Sequence, residues 1–119
     1  MSSKPPEERI SFETDVKGKH AVISIIGDVD LHTMPKAKDI VNKMIARDIY
    51  NIVLNLEKMS YIDSSGLGFL ISTLKRLKDK GGTLRLVNLN SYIRGIFNLI
   101  NLGMIIEVFD SLEDAVKGL

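Results

Sequence analysis

The chain has 119 residues, 45% of them hydrophobic and 26% charged, which is enough for one domain with a sizeable core and too little for two. Its formal charge of +1 argues against direct binding of nucleic acid through a general excess of basic residues. Cysteine is absent, which excludes disulfides, thiolate metal sites and a cysteine nucleophile. No apolar run approaches the roughly 20 residues of a membrane-spanning helix, so we expect a cytoplasmic protein without membrane contact.

The amino-terminal residues, 1–9, contain two of the three prolines and few core-forming side chains. This composition predicts a flexible tail ahead of a single domain that occupies residues 10–119. The domain begins with an alternating segment at 10–14 and a β-branched segment at 21–26, separated by turn residues. We expect these two segments to form a pair of antiparallel strands.

Strands and helices alternate along the rest of the chain. Short apolar runs predict strands at 51–56, 83–87 and 104–109, and apolar residues at helical spacing predict four helices, one before these strands, two between them and one after them. The resulting order β-β-α-β-α-β-α-β-α predicts a small layered α/β fold with a mixed, mostly parallel β-sheet. Polar residues available as helix caps are Asn90 or Ser91 for the third helix and Ser111, with Asp114 three residues later, for the last.

The strongest local signal lies between the third predicted strand and the second predicted helix, in the segment Met59-Ser60-Tyr61-Ile62-Asp63-Ser64-Ser65-Gly66-Leu67-Gly68. The start of a helix has unpaired N–H groups and a positive dipole end, which favour a hydroxyl cap or an added anion. Ser64 or Ser65 can fill either role. The simplest interpretation is N-capping, with Gly66 and Gly68 allowing the helix to pack closely on the sheet.

Enzymatic and metal sites find little support in the sequence. A nucleophile elbow needs Gly-x-Ser-x-Gly, but Ile62 stands at the first glycine position, and neither glycine-rich phosphate-binding motif occurs. Metal ligation by Asp28, Asp30, His32 and Asp63 is a further alternative, but their spacing matches no standard site and solvated loop charges are commoner. We therefore predict a protein that is not an enzyme and has no metal or cofactor.

The segment Ile62-Asp63-Ser64-Ser65-Gly66-Leu67-Gly68 resembles the motif of the bacterial anti-sigma-factor antagonists, which are single STAS domains. The resemblance runs from about Ile10 to Leu119. The loop Gly27-Asp28-Val29-Asp30 is similar to a Gly-x-hydrophobic-Asp loop of that family, and the segment from Ser91 to Phe97 is similar to its third helix. Asn101 stands where the family has glycine at a helix exit, and asparagine also tolerates the left-handed conformation.

This resemblance implies a protein–protein switch. In the family, the unphosphorylated antagonist binds an anti-sigma factor, which is usually also a serine kinase, and thereby frees a sigma factor for transcription; a serine phosphatase is the expected counterpart. The phosphorylated hydroxyl directly follows the aspartate of the motif, which implies phosphorylation of Ser64 here, with Ser65 as a capping neighbour. The switch loop and its surroundings would bind the partner through Asp63, Ser65, Gly66, Leu67, Gly68, Asp28, Asp30 and Leu31.

Apolar side chains near this motif are further candidates for the contact surface, although residues of this kind are more often core. Two other functions stay open on the sequence alone. One is a STAS component of a stress-sensing assembly or of lipid- or anion-transport machinery. The other is a nucleotide-binding module that holds a phosphate weakly at the helix beginning at Ser64. The apolar contact candidates are Leu31, Met34, Met59, Leu67 and Phe69.

Overall fold

The computed structural model describes residues 4–119, so the part of the predicted tail at 1–3 lies outside the described residues. No helix in the described part of the chain combines the length and the apolar character needed to cross a membrane. The strands are β1 Ile10–Lys17, β2 His20–Val29, β3 Asn51–Asn55, β4 Met59–Ile62, β5 Thr83–Val87 and β6 Glu107–Phe109. The helices are α1 Pro6–Arg9, α2 Met34–Ala46, α3 Ser64–Asp79, α4 Ser91–Leu99 and α5 Leu112–Ala115, with a short 3-10 helix at Leu102–Met104.

The sheet is mixed and mostly parallel, as the sequence predicts. Strands β1 and β2 pair antiparallel from Ile10 opposite Gly27 to Lys17 opposite His20. All other pairings are parallel, and the strand order is β1-β2-β3-β5-β6. Strand β4 pairs with the carboxyl end of β2, beyond the part of β2 that pairs with β3. The start of α3 therefore lies beside the end of β2.

Strand β4 lies in a segment that the sequence predicts as loop, and that prediction is wrong. Only Met59 and Ile62 of β4 are buried, with Ser60 and Tyr61 exposed between them, so the alternation that identifies a strand is missing. Met59 belongs to the core because β4 adds to the sheet. Phe69 of α3 is buried in the core as well. Both are thereby removed from the candidate contact residues. Strand β6 is shorter than predicted, because residues 102–104 form the 3-10 helix.

The segment before β1 also differs from the prediction of a flexible tail to residue 9. Pro6–Arg9 forms one helical turn, and the Arg9 guanidinium contacts the loop after β2. Gly27 permits this close approach, since its φ is +105° and a Cβ there would lie 2.1 Å from the Arg9 carbonyl oxygen. The described part of the tail thus packs against β2 and the loop that follows it.

Helices α2, α3 and α4 pack on one face of the sheet, where their apolar side chains meet those of the central strands in the main core. Helix α5 covers part of the opposite face through a small cluster around Ala115. Asn90 caps α4 by accepting from the Ile93 N–H at 3.0 Å, and Ser111 caps α5 by accepting from the Asp114 N–H at 3.2 Å. Asn101 has φ +54°, which confirms the left-handed helix exit expected there.

Candidate functional site

The candidate site forms where β4 ends and α3 begins. Asp63 is the N-cap of α3, and its Oδ1 accepts a hydrogen bond from the Gly66 N–H at 3.0 Å. Its Oδ2 accepts a second hydrogen bond from the Leu31 N–H at 3.2 Å. One carboxylate thus joins the start of the helix to the loop between β2 and α2. The expectation that Ser64 or Ser65 caps the helix is wrong, because β4 runs to Ile62 and leaves Asp63 as the extended residue before the first turn.

Ser64 is exposed at the first position of α3. Among residues 4–119 its hydroxyl has no hydrogen-bond partner, because the capping role belongs to Asp63. The first turn of the helix itself carries no acidic side chain, so the positive end of the helix dipole is not neutralised from within the helix. Ser64 is therefore exposed to solvent, whereas Ser65 beside it is half-buried.

The loop between β2 and α2 forms the other half of the site. Asp30 Oδ1 accepts hydrogen bonds from the N–H groups of His32 and Thr33, both at 2.9 Å, and Asp30 Oδ2 accepts one from Arg9 Nη1 at 2.5 Å. The buried Thr33 hydroxyl donates to the Asp28 carbonyl at 2.8 Å and accepts from the Asp30 N–H at 2.9 Å. This network holds the loop in one conformation beside Asp63.

The carboxylates of Asp28 and Asp30 are engaged within the chain. Arg9 Nη1 lies 3.4 Å from Asp28 Oδ2, and both aspartates are only partly exposed. The hydrogen bond from Arg9, supported by the N–H donors of the loop, lowers the pKa of Asp30 to about 2, although burial acts in the opposite direction. The same hydrogen bond raises the pKa of Arg9. A contact of these aspartates with a partner stays a prediction.

We expect the ion pair between Arg9 and Asp30 to make the stability depend on acid pH. Since the pKa of Asp30 is lower in the folded state, the unfolded chain binds its proton first, and the contribution is lost as the pH falls from about 4 towards 2. Allowing for solvent screening, the contribution above this range is about 1 kcal/mol. In thermal unfolding, Arg9→Met should be less stable than the wild type by this amount at pH 7. The difference in stability between the two proteins should become smaller below pH 4.

The matched control for that experiment is Arg47→Met, which changes an exposed arginine without an ion pair in the described chain. Its stability should stay close to that of the wild type at every pH. A stability gap between Arg9→Met and the wild type that keeps the same size from pH 7 to pH 2 would contradict the proposed role of the Asp30 carboxylate.

The two glycines of the motif have different surroundings. Gly66 is buried, and a Cβ there would lie 2.6 Å from both the Val29 carbonyl oxygen and the Ile62 Cγ1, which confirms the expected close packing. Gly68 is exposed, and a Cβ there would meet no atom within 4 Å, so the same expectation for Gly68 is wrong. Leu67 between them is half-buried against the main core. Gly68 instead lies on the outer face, one turn after Ser64.

A cleft of about 680 Å³ adjoins these residues, with Asp28, Asp30 and Asp63 in its wall and Leu31 and Tyr61 beside them. Leu31 is 60% exposed, which keeps it as a contact candidate, and Tyr61 is an exposed aromatic residue that sequence reasoning missed. The one signal in the sequence that pointed to Tyr61 is its position inside the segment from Met59 to Gly68. Within residues 4–119, no group of three histidine, aspartate or glutamate side chains is placed to hold a metal ion.

Comparison with known families identifies the fold. Residues 11–115 match the family model of the STAS domain, and the chain belongs to the STAS domain family. An anti-sigma-B factor antagonist of Staphylococcus aureus is 28% identical over 104 residues, which cover 87% of this chain and 96% of that protein.

Solved structures agree with this assignment. An anti-sigma factor antagonist from Mycobacterium paratuberculosis superposes with a TM-score of 0.80 at 23% identity, covering 97% of this chain and 96% of that chain. SpoIIAA, a Bacillus cell fate determinant, superposes at 24% identity in both its unphosphorylated and phosphorylated forms, with TM-scores of 0.74 and 0.68. Each SpoIIAA match covers 89% of this chain, and 93% and 96% of the respective SpoIIAA chains. These relatives are regulatory binding proteins rather than enzymes.

Proposed function

We propose that this chain is an anti-sigma-factor antagonist controlled by phosphorylation of Ser64. The unphosphorylated chain binds an anti-sigma factor with serine kinase activity and so frees a sigma factor in the cytoplasm, and phosphorylation releases the partner until a serine phosphatase restores the hydroxyl. The observation that carries this proposal is the exposed Ser64 hydroxyl at the first position of α3, unpaired in the described chain because Asp63 serves as the cap. The names of the relatives support the class of partner.

Electrostatics favours release on phosphorylation. A phosphate on Ser64 adds about −1.5 to −2 charges and three acceptor oxygens beside the carboxylate of Asp63. Asp28 and Asp30 lie in the wall of the same cleft as Asp63, and the Arg9 guanidinium beside them balances only one of these three negative charges. A partner surface complementary to the unmodified site therefore meets added negative charge and desolvated phosphate oxygens. The release needs no change of fold, because the helix dipole stabilises an anion at the first turn of α3.

The proposed contact surface centres on Ser64 and continues over exposed neighbours. Leu31 supplies an apolar side chain that is held beside the helix start through the bond of its N–H to Asp63. Gly68 presents bare helix backbone on the outer face, which gives a partner chain room to approach. Gly66 and Leu67 pack inward, so in this proposal they position the contact surface and make little contact themselves.

The test is capture of partners from a lysate of the source organism with four immobilised proteins: wild type, Ser64→Ala, Ser64→Asp and Asn98→Asp. Asn98→Asp is the matched control, since it adds the same charge at an exposed position near the end of α4. We expect a serine-kinase-type anti-sigma factor on wild type, Ser64→Ala and Asn98→Asp, with strong depletion on Ser64→Asp. Equal capture by all four would exclude Ser64 as the release switch. Capture of transport components or of other STAS proteins in its place would assign a different function.

A further inference from the structure

Strand β1 forms one edge of the sheet, and no other strand of the described chain pairs with its outer side. It comes first in the strand order β1-β2-β3-β5-β6 and pairs with β2 alone. Every second residue of an edge strand directs its N–H and C=O groups away from the sheet. In the part of the chain that the structure describes, these outward groups of residues 10–17 have no backbone partner. The edge therefore offers backbone hydrogen bonds to a further strand.

The two edges of the sheet differ in how well they are protected against pairing. Edge strands are commonly protected by being very short, by proline or by a bulge. The edge strand β6 has three residues. Strand β1 has eight residues and no proline, and it pairs with β2 in one unbroken register from Ile10 opposite Gly27 to Lys17 opposite His20. Its outer side is therefore long and regular enough to pair with an extended segment.

A groove of about 190 Å³ lies between β1 and α2, on the helix side of the sheet. Phe12 and Ile40 give it an apolar surface, since both are half-buried against the main core. A strand added to β1 would place every second side chain on this side of the sheet. The groove thus favours an apolar side chain there. Its lining residues are Ile10, Phe12, Lys36, Asp39, Ile40 and Lys43.

The other face of β1 carries two carboxylates at its centre. Glu13 and Asp15 are exposed two residues apart, on the face opposite the groove. Asp15 forms an ion pair with Lys17 at 3.7 Å, whereas Glu13 has no ion pair in the described chain. Opposite charges directly across two paired strands stabilise the pairing, and like charges destabilise it. A segment that places a lysine or an arginine beside Glu13 therefore fits this edge.

The same carboxylates disfavour pairing of β1 with β1 of a second copy. In a two-fold antiparallel pair, opposite residues must lie on the same face of the sheet. The two registers with the greatest overlap are then centred on Glu13 and on Thr14. The first places Glu13 opposite Glu13, and the second places Glu13 opposite Asp15, so both bring like charges together. A strand with basic residues meets no such repulsion.

We propose that the outer edge of β1 binds an extended segment of another protein in which apolar and basic residues alternate. The segment adds to the sheet as a further strand, and its backbone pairs with that of β1. Its apolar side chains lie on the side of the groove, and its lysine or arginine side chains lie beside Glu13 on the other face. This edge uses none of the residues of the proposed Ser64 switch and does not require that switch.

The probe is a fluorescein-labelled peptide that alternates valine and lysine and has the length of β1, titrated with the full chain and followed by fluorescence anisotropy. We expect saturable binding, at least about tenfold tighter than that of the same peptide with glutamate in place of lysine. The lysine peptide methylated at its backbone nitrogens keeps its charge but cannot donate hydrogen bonds to β1, so it should lose the binding. Residues 10–17 should exchange their amide hydrogens more slowly when the unmethylated peptide is bound.

Glu13→Lys should weaken binding of the lysine peptide at least about tenfold and keep its fold, because Glu13 is exposed. Glu113→Lys is the matched control, since it makes the same change at an exposed position of α5 and should leave the affinity unchanged. Ser64→Asp should bind the peptide as the wild type does, which separates this proposal from the switch.

Three results would overturn the proposal. One is no binding of the lysine peptide by the wild type at about 1 mM. Another is equal binding of the methylated peptide, which would show attraction of charges without a paired strand. The third is equal binding of the lysine peptide by Glu13→Lys. Slower exchange at residues 10–17 that depends on the concentration of the chain alone would assign the edge to a second copy instead.

Discussion

Ser64→Asp is expected to weaken binding of the anti-sigma partner more than 100-fold, which corresponds to about 3 kcal/mol, with almost no change in the melting temperature. The added carboxylate lies beside Asp63 on the proposed contact surface, where it repels a complementary partner and leaves charged oxygens desolvated. Within the monomer the same charge occupies the first turn of α3, where the helix dipole stabilises an anion by about 0.3–1 kcal/mol. Isothermal titration against the captured partner, with thermal unfolding in parallel, measures both quantities.

Two variants separate this effect from general perturbation of the surface. Ser64→Ala should keep an affinity close to that of the wild type, because it removes one hydroxyl and adds no charge to the contact surface. Asn98→Asp adds the same charge at an exposed position of α4 and should change the affinity little. A large fall in the melting temperature of Ser64→Asp would contradict release by repulsion, since the loss of binding would then reflect loss of the fold.

Gly66→Ala should lower the free energy of unfolding by about 3 kcal/mol, whereas Gly68→Ala, two residues further along α3, should raise it by about 0.5–1 kcal/mol. The added methyl group at Gly66 would overlap the Val29 carbonyl oxygen and the Ile62 side chain, and backbone cannot move aside cheaply. At Gly68 the methyl group enters open space and stabilises the helix. Urea unfolding of the two variants measures the difference directly.

A larger side chain at position 68 tests whether Gly68 lies in the partner interface. Gly68→Gln should fold at least as well as the wild type and lose partner affinity, because its side chain fills the space that a partner chain needs on the outer face of α3. Equal stability of Gly66→Ala and wild type would contradict the packing of α3 on β4. Unchanged partner binding by Gly68→Gln would remove Gly68 from the contact surface.

Much of the fold could be predicted from the sequence, because most strands and helices have strong periodicity. The β1–β2 hairpin and the buried strands β3 and β5 follow from short apolar or alternating runs that are too short for a helix and are bounded by turn residues. Strand β4 could not be predicted in this way. Its two inward residues are separated by two exposed ones, and it is stabilised by pairing with the end of β2, which the local sequence does not reveal.

The position of the functional site stays a prediction, and the contacts within the candidate segment could not be predicted from the sequence. Asp63, Ser64 and Ser65 are three consecutive residues able to cap a helix, and only the end of β4 decides that Asp63 does so. The ion pair of Arg9 with Asp30 joins residues 21 positions apart, one of them in a segment whose composition indicates a tail. The difference between Gly66 and Gly68 depends on which side of α3 meets Val29.

The most direct test of the central claim is native mass spectrometry of the complex between this chain and the captured anti-sigma factor, before and after addition of Mg²⁺ and ATP. The account predicts that the complex disappears while free chain accumulates with one phosphate, which fragmentation places on Ser64. Ser64→Ala should stay bound and unmodified under the same conditions. A phosphate on Ser65, or a singly phosphorylated chain that remains in the complex, would contradict the account.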